Sequence, residues 1–414
     1  MKTKAVRLYG KNDLRLEEFN LPEIKDGEIL AKVVTDSACM STYKEVNLGS
    51  EHKKVPDDIS KNPIIIGHEF CGKIIKVGSK LKNKFSENDK FVIQPNIEGH
   101  DGIAPGYSFR FIGGNSLYII INSLLIENGS LLPFNGKSYF EGSLIEPLSC
   151  VVGAYRAQFH TGDDYEYING IKEGGNLALL AATGPMGYLA IDYALNNDRK
   201  PKNIVVTGRT QSKIDYLKKL YPVDYAKNKG INLIYINTSK KDNYSKEILG
   251  LVGGKFDDVM VFYPSKELAV VADEILGYDG CINFFAGSTD NEFKADINYY
   301  DVHYNSKHVV GTSGGNTNDM KIAISLVEDG KIDVSKIVTH VFGLNDVIST
   351  INNLPNISGG KKLCYVQKDI NLYKLGDNKE QWHKDIINIL QKSDGVWSRE
   401  AEDYILKNMK DIEL

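Results

Sequence analysis

The sequence predicts a β-rich domain into which a doubly wound α/β domain is inserted before the last part of the chain. Three observations carry this. Short alternating apolar runs with Gly, Asn and Pro punctuation fill the first 150 residues. From about residue 176, continuous apolar runs alternate with amphipathic stretches, and near residue 310 that alternation stops. At 414 residues the chain is long enough for each domain to bury its own core.

The elements follow in order. Residues 1–10 alternate like a strand, as do EILAKVV (28–34), FCGKIIKVG (70–78) and KFVIQP (90–95). The second texture opens with the buried run NLALLAAT (176–183), followed by GPMG and the helical YLAIDYAL (188–195). Strand-like NIVVTG (203–208), INLIYINT (231–238), DDVMVFY (257–263) and CINFFAG (281–287) are separated by the helix-like QSKIDYLKKL (211–220) and SKELAVVADEIL (265–276). Continuous hydrophobic strands between amphipathic helices indicate a parallel sheet covered on both faces. After HVVGTSGG (308–315) come a helix at 319–329, strands VTHVFGL (338–344) and GGKKLCYV (359–366), and a polar helical tail from about 367. The domains are therefore expected at 1–152, 153–310 and 311–414, the last being a return to the first domain plus the tail.

Composition excludes several functions. Charged residues make up 25% and hydrophobic residues 42%, with a net charge of −4 and no basic stripe interleaved with aromatics. Nucleic acid is not an expected partner. No stretch approaches the roughly 20 apolar residues that span a bilayer, and the first ten residues lack the apolar core of a signal peptide, so a cytoplasmic protein without a membrane partner is expected. Five scattered cysteines without a CxxC pair argue for a reducing compartment.

The loop Ala182-Thr183-Gly184-Pro185-Met186-Gly187 follows a buried strand and opens a helix, the context of a dinucleotide fingerprint. Gly184 lets backbone approach a pyrophosphate and Gly187 lets the helix pack on the strand, while Ala182 stands in place of the first glycine. Gly208 lies 21 residues after Gly187, where the next strand ends. The segment after it holds Arg209, Ser212 and Lys213 and no acid before Asp215. Gly208 leaves room and the cations suit a ribose 2′-phosphate, which favours NADP(H) over NAD(H).

A second constellation is built from Cys39, from His68 and Glu69 in NPIIIGHEFCGKIIKVGS, and from Glu146 in Glu146-Pro147-Leu148. A thiolate, an imidazole and a carboxylate suit one zinc ion with an open fourth position, the pattern of a catalytic site. Glu69 and Glu146 are alternative third ligands.

The glycine-framed Gly67-His68-Glu69, the upstream Cys39, the Glu-Pro-Leu segment and the later GPMG loop together resemble the zinc-containing medium-chain dehydrogenases, and within them the polyol branch. The resemblance covers residues 1–366 and implies a GroES-like catalytic domain joined to a Rossmann coenzyme domain. CMSTYK (39–44), NPIIIGHEFCG (62–72), PGYSFRFIGG (105–114), DGCINFFAG (279–287), VHYNSKHVVGTSGGNT (302–317) and GGKKL (359–363) are similar to the sorbose 1-phosphate reductases of that branch. It implies hydride transfer between NAD(P)H and a ketose phosphate, L-sorbose 1-phosphate giving D-glucitol 6-phosphate. Another polyol or polyol phosphate, such as sorbitol or galactitol 1-phosphate, is the alternative, and a non-catalytic nucleotide-binding relative a further one. A homo-oligomer, dimer or tetramer, is implied by the resemblance alone.

Ser41 matches the family's proton-relay hydroxyl, and Lys44 stands where that relay ends in histidine. Thr42 replaces the acid usual three residues after the cysteine. Residues 95–115 hold no cysteine, so no structural zinc is expected. A sugar phosphate needs a cationic anchor. Lys53, Lys54, Arg110, Arg156 and His160 are candidates, and Arg110 in its Gly- and aromatic-rich loop is the first choice.

Overall fold

The computed structural model describes residues 1–100, 102–239, 244–288 and 290–414. The chain divides into two compact units, one made of Met1–Pro147 with Asn316–Leu414, the other of Leu148–Gly315.

The first unit is organised around the strand Ile29–Ala38, which is buried along nearly its whole length. On one side it pairs antiparallel with Phe70–Val77, placing Asp36 opposite Phe70 and Thr35 opposite Cys71. On the other side the returning strand Lys361–Tyr365 pairs antiparallel with it, placing Lys362 opposite Ala38 and Leu363 opposite Ser37. This eight-stranded sheet extends outward through Val338–Gly343 at one end and through Lys90–Ile93 and Leu131–Pro133 at the other. Its apolar side chains, among them Val33, Phe70, Phe91, Ile93, Phe342 and Val366, form one buried cluster. A three-stranded sheet of Asp13–Asn20, Lys2–Gly10 and Ile64–Ile65 completes the unit's β structure.

The tail is helical at Gln381–Gln391 and Arg399–Asn408, but it is amphipathic rather than simply polar. Ile386, Leu390, Trp397 and Ile405 are buried. Glu402 is buried with them, and its two oxygens accept from the backbone amides of Tyr139 (2.7 Å) and Phe140 (2.8 Å). These amides open the short helix Tyr139–Ser143, so a carboxylate from the tail satisfies donors that a helix start leaves unpaired.

The second unit is a six-stranded parallel sheet in the order Asn232–Asn237, Asn203–Gly208, Asn176–Leu180, Phe256–Val261, Leu276–Phe284, His308–Gly311. The order reverses beside Asn176–Leu180, the switch point at which doubly wound sheets bind ligands. The fifth strand begins earlier than the periodicity predicts: Leu276 pairs with Phe256 directly after the helix Lys266–Ile275. Among the described residues, no helix is long and apolar enough to cross a membrane.

Candidate metal centre

Register delivers three of the candidate metal-ligating side chains to one place. Cys39 ends the strand Ile29–Ala38 and caps the helix Met40–Leu48 in an extended conformation. His68 and Glu69 immediately precede Phe70–Val77, and the Ser37 amide donates to the Glu69 carbonyl at 3.0 Å. Ligand atoms of Cys39, His68 and Glu69 all lie within 4.8 Å of one another. Glu146, in the first turn of the helix Ile145–Ala157, is half-buried and outside that close group. Its charge nevertheless acts on Cys39 and Lys361. Ser41, two residues beyond Cys39, is exposed.

The electrostatics suit a cation-binding site. Burial, then the neighbouring Glu69 carboxylate, pushes the Cys39 thiol up to about 12. A metal ion reverses that order, because a coordinated thiol is deprotonated outright. Burial lowers His68 to about 4, so its ring is neutral at pH 7 and fit to ligate. Burial alone raises the Glu69 carboxyl, but Lys361, His68 and the Ser37 hydroxyl outweigh it and hold Glu69 below its ordinary range. Lys361 Nζ lies 2.5 Å from both Glu69 oxygens, and Ser37 Oγ donates to Oε2. The donor set therefore fits a zinc ion, and a buried ion pair keeps one of its carboxylates charged.

The contacts behind the ligands are specific. Thr42 Oγ1 lies 3.4 Å from His68 Nδ1, so the hydroxyl that replaces the usual acid supports the imidazole rather than the thiol. With Nδ1 facing this hydroxyl, Nε2 is the ring nitrogen left to face an ion. Tyr107 covers the imidazole face, with ring centroids 4.9 Å apart. The close approach of its loop depends on glycine: a Cβ on Gly106, at φ +78°, would stand 2.2 Å from the Gly67 carbonyl oxygen.

Sequence reasoning overlooked Lys361, Ser37 and Tyr107. Lys361 and Tyr107 sit inside strings that already marked the resemblance, GGKKL and PGYSFRFIGG, which was the available signal. Glu45 was overlooked as well. It is fully buried and neither of its oxygens has a hydrogen-bond partner among the described residues; burial, with Asp36 nearby, raises its carboxyl well above the ordinary range.

In the other unit, Gly184 caps the helix Pro185–Asn196, with Pro185 in its first turn and Met186 beside it. A Cβ on Gly187 would stand 2.0 Å from the Ala182 carbonyl oxygen, which explains the glycine by helix–strand contact. The left-handed residue of this loop is Ala181 (φ +55°), so the tight turn falls one residue before Ala182. The space expected beside Gly208 is filled: a Cβ there would meet the Thr183 methyl at 2.2 Å. Arg209, Ser212 and Lys213 are exposed around the start of the helix Gln211–Leu220. Asp215, the next acid, accepts from Gln211 Nε2 at 2.8 Å.

Of the proposed anchors, Arg110 is exposed with its guanidinium 5.4 Å over Phe111. Phe111 packs beside Leu21, Leu30 and Ile120, a cluster separate from the main core. His160 is held by Asp258 (3.2 Å) and the Asp279 carbonyl (2.8 Å), and Arg156 is exposed at the end of its helix.

Comparison with known proteins agrees with this architecture. The family model Alcohol dehydrogenase GroES-like domain matches residues 25–122, and Zinc-binding dehydrogenase matches residues 185–329. The L-sorbose 1-phosphate reductase of Klebsiella pneumoniae is 46% identical over 413 residues, covering 99% of this chain and 98% of its own. The mannitol-1-phosphate 5-dehydrogenase of Aliivibrio fischeri is 44% identical over 414 residues, covering 98% and 97%. Among solved structures, 2R,3R-butanediol dehydrogenase from Bacillus subtilis superposes with a TM-score of 0.72 at 22% identity, over 88% of this chain and 99% of that one.

Proposed function

The chain belongs to the zinc-binding dehydrogenase family and is a dehydrogenase of its alcohol and polyol (phosphate) type; from that premise we propose that it reduces a ketose phosphate with NAD(P)H. The substrate proposed is L-sorbose 1-phosphate and the product D-glucitol 6-phosphate. The observation that carries the reading is the Cys39, His68 and Glu69 donor set, in a chain whose near full-length relatives are named for hexitol or hexulose phosphates. Oxidation of another polyol phosphate at the same centre is the second reading, favoured by the mannitol-1-phosphate relative.

A single zinc ion, when bound, polarises the substrate carbonyl, and the reduced nicotinamide supplies the hydride. Cys39 Sγ, His68 Nε2 and a Glu69 oxygen are the proposed ligands, with Glu146 as the outer carboxylate. Lys361 keeps Glu69 anionic, and Thr42 and Tyr107 fix the imidazole plane. The Ser41 hydroxyl, exposed two residues after Cys39, conducts the proton that the product oxygen takes up. Gly184, Pro185, Met186 and Gly187 form the pyrophosphate turn, and Arg209, Ser212 and Lys213, which follow Gly208, face the ribose, with NADP(H) preferred. The molecule is proposed to work as a cytoplasmic homo-oligomer.

Steady-state rates on L-sorbose 1-phosphate, L-sorbose, mannitol 1-phosphate and galactitol 1-phosphate, each with both coenzymes, test this. Equal kcat/KM for the phosphorylated and free ketose removes the phosphate from the reading. Zinc analysis of Glu69→Gln and Glu146→Gln decides the third ligand; loss of metal only in Glu146→Gln reverses the assignment.

A further inference from the structure

In a 2-ketose 1-phosphate the phosphate hangs on the carbon next to the reactive carbonyl. A group that binds this phosphate must therefore stand close to the metal ligands. One wall of the candidate metal centre carries a cation, Lys54, over the ring that covers His68. Tyr107, which covers His68, meets His52 on ring centroids 5.3 Å apart and nearly parallel (14°). Lys54 extends its ammonium over the Tyr107 ring, 5.7 Å from the centroid. The backbone joins the two segments: the Lys54 amide donates to His52 Nδ1 at 3.3 Å, and Ser108 Oγ donates to the Lys54 carbonyl at 2.6 Å. Lys54 and His52 are therefore positioned by the same loop that covers a metal ligand.

Two more lysines share this field. After burial, the charges of Lys54, Lys53 and Lys44 lower His52. Lys44 and Lys54 are half-buried, where their charge is screened less than on open surface, and Lys53 is exposed at the rim. Lysine binds phosphate as a compact point charge that can follow a flexible dianion.

We propose that Lys54, together with Lys44 and Lys53 around His52, forms the binding site for the substrate's phosphate. The proposal rests on the reading of the substrate as a phosphorylated ketose. It moves the anchor from Arg110, whose guanidinium lies over Phe111, to the wall that covers His68. Phosphorylated sugars are then selected at the carbonyl end of the substrate, which suits a 1-phosphate better than a phosphate at the far end of the chain.

The test compares kcat/KM for L-sorbose 1-phosphate and L-sorbose in the zinc-loaded wild type and in Lys54→Gln, Lys44→Gln, Lys53→Gln and Arg110→Gln. The wild type should prefer the phosphorylated sugar. Lys54→Gln should reduce that preference at least tenfold, mainly through KM, and weaken competitive inhibition by inorganic phosphate in parallel. A wild type without preference sinks the substrate reading and the site with it. A wild-type preference that survives in all three lysine variants, or that Arg110→Gln abolishes instead, overturns the site and leaves the substrate reading standing. Should a lysine variant fail to fold, the wild type still decides: inorganic phosphate must protect Lys54 from an amine-acylating reagent, and full labelling in its presence overturns the site.

Discussion

The candidate metal centre and the proposed coenzyme loop are built in opposite ways. At the metal centre, His68, Glu69 and Lys361 are buried, and each is already held by another protein group. At the coenzyme loop, Arg209, Ser212 and Lys213 are exposed, and their proposed contacts exist only with the ligand bound. A preorganised buried site stores its specificity in the folded chain, so damage there costs stability and chemistry together. An exposed cationic rim costs nothing in the free protein and expresses itself only as affinity.

The comparison is broken most directly at the imidazole. His68→Ala should remove zinc and lower kcat/KM by roughly 10³-fold or more, the loss of several kcal/mol of transition-state stabilisation. Retained zinc with near-normal turnover would place the metal elsewhere. Next, Lys361→Met leaves the Glu69 carboxylate buried beside His68 without its cation. Unfolding in urea should show a loss of about 3–5 kcal/mol, far more than an exposed ion pair gives. A change under about 1 kcal/mol, the range of surface pairs, would mean the pair is not buried in solution.

Glu402 extends the contrast to a buried charge away from the metal. Burial raises its carboxyl to about 7 against amide hydrogen bonds from Tyr139 and Phe140 that work to lower it. A carboxyl raised in the folded state binds its proton more tightly than in the unfolded chain. Its contribution is complete below the ordinary value of 4.5 and is lost as pH rises through about 7. Wild-type Tm should therefore carry a downward slope between those limits, worth at most about 1.4 kcal/mol per pH unit, that Glu402→Gln lacks. Parallel Tm profiles for the two proteins would contradict it. The smallest effect belongs to the exposed rim. Arg209→Ala should raise KM for NADPH about tenfold, the worth of one charge-assisted hydrogen bond, raise KM for NADH little, and leave the unfolding midpoint where it was.

Much of this was legible from residue order because local pattern encodes it. The parallel sheet announced itself in runs such as NLALLAAT and NIVVTG, and the strand-to-helix loop in GPMG. Cys39, His68 and Glu69 were recognisable from residue type and glycine framing, and the fold brings them together. The tail was harder. It was expected to be helical and polar, and the burial of Trp397 and Glu402 was not visible, because residue order does not say what a helix packs against.

By itself, then, the sequence determined the fold class, and it named a candidate coenzyme turn and four candidate metal ligands, with Glu69 and Glu146 as alternatives. The tertiary structure alone decided how those side chains are charged and supported. Antiparallel pairing of Lys361–Tyr365 with Ile29–Ala38 brings Lys361 to Glu69 across 292 positions of chain, and the Gly106 turn lays Tyr107 over His68. Such partners follow from strand register and loop closure, which depend on the whole sheet. That is why a reading from residue order named the close group Cys39, His68 and Glu69 and missed the lysine paired with Glu69.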